Sequence, residues 1–385
     1  MTTEPFTTRN CTFRQLMEPG TSYQIPPLQS SFSWTENEWE ELWLDVEELF
    51  QQQNANVSTT AGASIDATWE DGEESAAPSS RFMGFLLLQR LDRRHFVLLD
   101  GQHRLTTISI LVLAAIKCLQ ELQKKGDDPA GNAIREELLR NVYINNCDAR
   151  TLQVTPKLTL NHAEDAYFQN TLVALHNLSE HRPGASVPLL GRAFYWFKEH
   201  IEKAACGHGA ESGSRISSLV EAAVGSLLFT VFTTDSADTA FMLLEHLHPS
   251  GTHPEITDFL KNLLLSCSGQ PQDPALVASL DKRWSRMLAA LGEESFPEFL
   301  RTVWNARHGF VRRKAFFKAL YTTIREQSAA SRLLEELECA APTYAALHNP
   351  AHAQWNACER AALGMLRGLE YPFSHMPCEK QGKRS

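Results

Sequence analysis

Apolar positions recur along this chain with two periods, and the places where the period changes mark its elements. Phe82 to Leu88 and His95 to Leu99 are apolar almost without a break and flank the charged Asp92-Arg93-Arg94, which predicts two strands joined as a hairpin. From Leu105 to Leu122 the spacing becomes helical. Leu105, Ile108, Leu111, Val112, Ala115, Ile116 and Leu119 cover most sides of that helix, so it is predicted to be buried. Upstream, Thr35 with Glu38 three positions later is a capping-box pattern, and Trp39, Leu42, Trp43, Val46, Leu49 and Phe50 fall on one helical face. Between Gln51 and Ser80 the apolar period is lost to Gln, Asn, Ser, Thr and an acidic run at residues 70–74. That composition predicts a mobile insertion, either a spacer or a lid over a neighbouring site.

The remaining pattern places a short helix and then a strand between Phe13 and Ile25, ended by Pro26-Pro27, with Gln29 in the loop that follows. Helices are expected over residues 133–140, 163–178 and around Phe194, Phe197 and Ile201, with strands around residues 142–144, 158–160 and 227–234. A helix over residues 240–247 ends in the loop from Pro249 to Pro254, and everything beyond Asp258 reads helical. The fold class is therefore α+β, a small mixed core toward the N-terminus followed by a mainly α-helical domain. Three parts are expected: residues 1–125 with the insertion 51–80, a mixed and mainly helical part over 126–265, and a helical domain over 266–385.

Composition narrows the function classes. With 385 residues, 43% hydrophobic and 21% charged, the chain is an ordinary globular one, and its net charge of −10 excludes a protein that coats nucleic acid by bulk charge. Eight scattered cysteines contain no Cys-x-x-Cys, which indicates neither a zinc ribbon nor a disulfide framework. The amino terminus is polar, and no run approaches the roughly 18 apolar residues that span a bilayer. A cytoplasmic protein with no membrane contact is expected. Neither a Walker A motif nor Gly-x-Ser-x-Gly is present.

Chemistry is expected where the second hairpin strand turns into the apolar helix, at Asp100-Gly101-Gln102-His103-Arg104. Asp100 ends the strand, Gly101 lets backbone approach a ligand, and Gln102, His103 and Arg104 open the helix, where unpaired N–H groups and the dipole attract anions such as phosphate. The bland alternative is an Asp-Gly turn beside a solvated Arg104. Farther on, Lys261 and Asn262 share a helix face with Asp258, either as an intrahelical ion pair or as part of a site. Glu245, His246, His248 and His253 are metal-ligand types, but their spacing matches no zinc motif and they read as loop histidines. From Arg301 to Arg325 there are seven Lys or Arg residues and no Asp or Glu, interleaved with Trp304, Phe310, Phe316, Phe317 and Tyr321. Arg312, Arg313 and Lys314 are the candidate DNA-backbone contacts, while the aromatic residues read either as base-stacking groups or as the buried side of a helix.

Three segments carry a family resemblance. They are Ile25-Pro26-Pro27-Leu28-Gln29-Ser30-Ser31-Phe32-Ser33-Trp34 before the Trp-rich helix, Asp100-Gly101-Gln102-His103-Arg104, and residues 244–251 followed by Asp258-Phe259-Leu260-Lys261-Asn262. In this order they resemble the DGQQR-motif domain of the GmrS part of GmrSD modification-dependent restriction proteins. The resemblance implies a ParB/sulfiredoxin-like core and an antiphage sensor that binds and hydrolyses an NTP with a divalent cation, Mg2+ or Mn2+. It implies that Asp100 holds the metal or orients water, with His103 beside it, that Arg104 and Lys261 neutralise phosphate, and that Gln29, Gly101, Gln102 and Asn262 position the nucleotide. Ser30, His103, His248 and Ser250 depart from the family pattern, and a serine cannot replace the bidentate grip of arginine on phosphate. A non-catalytic adaptor that binds DNA or a phage protein is the alternative. DNA cleavage is expected from a separate HNH-type nuclease or other defence subunit, since His348 and His352 lie too close together beside Pro350 to form such a centre.

Overall fold

The computed structural model describes residues 5–61, 80–148, 150–175, 178, 187–207, 209–247, 254–267, 273–292, 294–324, 327–349, 352 and 354–368. They fall into two compact units, residues 1–26 with 31–240 and residues 27–30 with 241–385. In the first unit lie strands β1 (Thr7–Thr12), β2 (Ser22–Gln24), β3 (Arg81–Arg90), β4 (His95–Asp100), β5 (Asn145–Cys147), β6 (Val154–Pro156), β7 (Leu158–Thr159) and β8 (Leu227–Thr234). Its helices are α1 (Phe13–Leu16), α2 (Glu36–Ala61), α3 (Gln102–Lys125), α4 (Pro129–Leu139), α5 (Asp165–Tyr167), α6 (Leu189–Ala205) and α7 (Ser212–Ser226). The fold is α+β, as the apolar pattern indicates.

Six strands form one mixed sheet in the order β1-β8-β3-β4-β2-β7, and β5 pairs with β6 as a separate hairpin. The predicted β3–β4 hairpin forms, antiparallel, and β4 runs parallel to β2. Strands from both sides of residue 125 share this sheet, because β8 inserts between β1 and β3. One side of the sheet is buried through Cys11, Leu86, Leu88, Leu98, Phe229 and Val231, which join the residues of α2, α3, α6 and α7 in a single apolar core. At its centre α3 is buried on nearly every side. By length and composition α3 is apolar enough to cross a membrane, contrary to the expectation that no run approaches this; most of that stretch lies inside the protein, as in a core helix. It ends at Gly126, whose φ of 88° permits the closing bonds Gly126 N to Gln123 O (3.1 Å) and Asp127 N to Leu122 O (3.1 Å).

Several local expectations are corrected. Residues 142–144 are no strand but part of a π-helical turn, Arg140–Ile144, with β5 beginning one residue later. The helix expected over 163–178 is one turn, α5, that widens into a second π-helical stretch, Phe168–Val173. Arg140 joins the two, its Nη1 donating to Val173 O at 2.9 Å. The helix α2 runs on to Ala61, through the first part of the expected irregular insertion, whereas residues 62–79, where the spacer or lid was expected, lie outside the described residues.

The second unit, within the described residues, is helical. After α8 (Ala237–Leu247), which spans the boundary, come α9 (Pro254–Cys267), α10 (Pro274–Leu291), α11 (Phe296–His308), α12 (Arg313–Thr323), α13 (Gln327–His348) and α14 (Ala357–Gly368). Its interior holds Phe241, Phe259, Trp284, Phe299, Trp304, Phe317 and Leu337. Arg283 of α10 grips Glu338 of α13 through Nε (3.1 Å) and Nη2 (2.6 Å), a two-point guanidinium–carboxylate contact that fixes one helix against the other.

Candidate functional site

The strand-to-helix turn in the first unit is built around two glycines and an arginine. Gly101, at φ 94°, takes the left-handed conformation that ends β4 and starts α3. A Cβ at this position would collide with the side chain of Leu86, so the glycine makes room for the core beneath the turn. Gly84, at φ 96°, lies where β3 slips register against β8. Arg104 fills that bulge: its Nη1 donates to Met83 O (3.3 Å) and to Phe85 O, and a Cβ on Gly84 would meet it at 2.8 Å. Its Nη2 stands 3.8 Å from Oδ1 of Asp100, which is only 5% exposed. Arg104, expected to neutralise phosphate charge, is thus hydrogen-bonded to backbone, with its own charge beside Asp100.

No side chain caps the N-terminus of α3. Gln102 is 7% exposed, and its Oε1 is buried with no hydrogen-bond partner in the protein; His103 Nδ1 is in the same state. Such groups are expensive to bury unpaired, so a water or a polar ligand is the expected partner of each. The His103 ring meets Phe32 edge-on at 5.6 Å, and its Nε2 lies 3.4 Å from Ser33 Oγ. Burial first, and then the Arg104 charge, push its pKa down from 6.5 to about 4 against the pull of Asp100 and Glu38, so the imidazole is neutral near pH 7.

Two residues of this neighbourhood escaped the sequence reading. Both carboxylate oxygens of Glu164 accept from Phe32 N (3.0 Å each), and Oε2 also accepts from Asn161 Nδ2 (3.1 Å). Asn161 Oδ1 in turn accepts from Glu164 N at 3.0 Å. Burial raises the Glu164 pKa against the lowering effect of these donors. The segment that carries Phe32 and Ser33 past His103 is therefore fastened by Glu164. The available signal was Asn161 followed three positions later by Glu164, directly after a strand, which is a helix-start pattern.

In the second unit, Asp258 and Asn262 sit one turn apart on α9 and hold the loop around Gln29. Leu28 N donates to Asn262 Oδ1 (2.8 Å) and Ser30 N to Asp258 Oδ2 (2.7 Å), while Asn262 Nδ2 returns to Asp258 O (2.9 Å). Gln29 between them is buried. Lys261 is buried too, and its ion-pair partner is Asp281 of α10 rather than Asp258. Two motifs more than 220 positions apart, Leu28-Gln29-Ser30 and Asp258-x-x-x-Asn262, are thus one structural device.

The basic segment divides. Trp304, Phe316 and Phe317 are buried, Phe317 stacks on Phe241 at 4.1 Å, and Tyr321 stacks on Phe317 at 5.9 Å, so these four belong to the apolar interior and not to a base-stacking surface. Arg307, Arg312 and Lys318 are exposed. Arg313 and Lys314 open α12, but their side chains lie outside the described ones. Among the described residues no three His, Cys, Asp or Glu side chains gather as a metal site, and no cysteine is paired. His246 Nδ1 is bonded to Met242 O (2.7 Å), and His248, Ser250, Gly251 and His253 lie outside the described residues. His348 pairs with Glu294 at 3.0 Å and stacks on Tyr344.

The class that this architecture defines is an α+β domain organised on a polar strand-to-helix turn, followed by helices. Residues 13–265 match the family described as GmrSD restriction endonuclease, N-terminal domain, and the chain belongs to that family. It is accordingly a restriction and defence protein at the level of family. A comparison with curated proteins finds no match.

Proposed function

We propose that this chain is the nucleotide-binding sensor of a modification-dependent DNA restriction or antiphage system, acting in the cytoplasm. The observation that carries the reading is the N-terminus of α3, uncapped and bearing the buried, unpartnered Oε1 of Gln102 and Nδ1 of His103 beside the buried Asp100. A helix N-terminus with donors to spare suits phosphate, and the two unpartnered side chains suit a polar guest. The family's restriction setting supports an NTP as that guest. The fit extends to a divalent cation: Asp100 is the residue that would hold it, and Mg2+ commonly takes one or two carboxylates and completes its shell with phosphate oxygens and water. Such an ion supplies charge neutralisation during phosphoryl transfer. Gln102 and His103 orient the bound nucleotide, Arg104 keeps a fixed positive charge at the turn, and Gln29, Lys261 and Asn262 serve through the loop-and-helix device they build. A ParB/sulfiredoxin-like ancestry of the turn agrees with this use. Exposed Arg312, with Arg313 and Lys314 at the start of α12, supplies contacts to the DNA backbone. Strand cleavage is assigned to a partner nuclease subunit of the HNH kind.

Binding without turnover is favoured by one specific observation: the two cations expected on phosphate, Arg104 and Lys261, are committed to Met83 O, Phe85 O and Asp281. The adaptor reading therefore stands beside the hydrolase. Phosphate release from each NTP, with Mg2+ or Mn2+ and with and without modified DNA, separates them. Turnover that is lost in Asp100→Ala supports hydrolysis; binding with no turnover supports the adaptor; turnover unchanged in Asp100→Ala overturns the role given to that residue.

A further inference from the structure

Among the described residues Phe310 is the most exposed aromatic side chain, at 73%, in a place where exposure is built rather than incidental. It lies in the short connection between α11 and α12, residues 309–312, which opens on Gly309 at φ 88°. That connection is pinned: Gly309 N donates to Asn305 O (3.2 Å), Val311 N to Asn305 Oδ1 (3.0 Å) and Ala315 N to Arg312 O (2.8 Å). Around it Arg307, Arg312 and Lys318 are exposed, and none of them forms an ion pair among the described residues. The first turn of α12 holds no acidic residue, and exposed Arg312 precedes it at the positive end of the helix dipole, where an anion is favoured. Next to the connection, His308 Nε2 lies 3.9 Å from Glu336 Oε2.

We infer that the Gly309–Arg312 connection is a contact for nucleic acid with unstacked bases, in which Phe310 stacks on a base while Arg307, Arg312 and Lys318 take the sugar-phosphate backbone. The inference rests on the DNA-binding reading above and makes it specific. A protein partner is the weaker match, because a lone Phe between Gly309 and half-buried Val311 offers no contiguous apolar area, whereas an isolated aromatic ring among cations is what single-strand binding uses. The other aromatics of the segment are excluded, being buried or stacked inside the unit.

Fluorescence anisotropy of the full chain with a labelled single strand and the duplex of the same sequence, over a salt series, tests this. The single strand binds more tightly, Phe310→Ala weakens it by about tenfold without changing the salt slope, and Phe310→Trp retains it. Arg312→Ala with Lys318→Ala weakens both forms alike and flattens the salt slope. If Phe310→Ala leaves single-strand affinity unchanged while the cation variants still flatten the slope, the stacking role is overturned, Phe310 passes to a protein contact, and the basic surface survives. If neither form binds even at low salt, the DNA-binding reading falls and this inference with it.

Discussion

Replacing His103 by glutamine, the residue at that place in the DGQQR motif that this stretch resembles, should remove a pH dependence from the stability of the chain. In the folded protein the imidazole is held neutral, with its pKa lowered from 6.5 to about 4 by burial and by the adjacent Arg104. In the unfolded chain it takes up a proton below pH 6.5. The unfolded state therefore binds more protons as pH falls, and stability present above the unfolded value is lost on the way down to the folded one. For these two values the loss is about 2 kcal/mol at pH 5 and about 3 kcal/mol at pH 4. Other groups contribute to acid sensitivity: Asp92 is held low by the backbone N–H of Arg94 and by His95, and Asp128 by the Arg135 guanidinium and the backbone N–H of Gly131. Comparing two proteins that differ only at residue 103 cancels those contributions. Urea unfolding of wild type and His103→Gln at pH 7.5, 6, 5 and 4.5 should show the wild type losing stability faster as pH falls, with the two curves diverging below about pH 6.5. Parallel curves would refute the reasoning, since they would mean that the imidazole takes its proton as readily in the fold as outside it.

Three further outcomes follow from the same geometry. Gly101→Ala combines a positive φ with a collision against Leu86 and should cost about 2–4 kcal/mol, read as a lowered unfolding midpoint at unchanged m-value; a neutral result would remove the steric account of the turn. Asn262→Ala deprives Leu28 N of its acceptor and should cost about 1–3 kcal/mol, with faster hydrogen exchange at the Leu28 amide as its local signature. Arg104→Lys keeps the charge but not the fork that spans Met83 O and Phe85 O, and should loosen the β3 bulge by about 1–2 kcal/mol; full stability in this variant would show that charge alone matters there.

What the sequence disclosed and what it hid have physical causes. The β3–β4 hairpin and α3 were legible because their apolar residues run with little interruption, and α3 is in addition buried on nearly every side. β1 was not, since Thr7–Thr12 is a polar edge strand in which Cys11 is the one fully buried side chain. α7 is packed through small residues, among them Ser212, Gly213, Ala222 and Ala223, which carry little hydrophobic signal. Val142, Tyr143 and Ile144 have strand propensity, and tertiary packing overrode it with a π-helical turn. The insertion of β8 between β1 and β3 is a long-range pairing that no local pattern encodes. At the strand-to-helix turn, Asp100-Gly101-Gln102-His103-Arg104 was legible as a polar turn opening a helix, whereas the packing of Gly101 over Leu86 and of Arg104 into the β3 bulge depends on contacts that no local pattern encodes. The clamp of Asp258 and Asn262 on Leu28 and Ser30 was visible only as two separate motifs.

The central claim is that a nucleotide binds at the N-terminus of α3, and calorimetric titration of the purified chain with each NTP, in the presence of Mg2+ or Mn2+, tests it most directly. The account predicts saturable binding of at least one NTP by the wild type, weakened in Gln102→Ala and abolished in Asp100→Ala, with both variants retaining the wild-type circular dichroism spectrum. Binding that persists at full strength in both folded variants, or no binding of any NTP by the wild type, would contradict it.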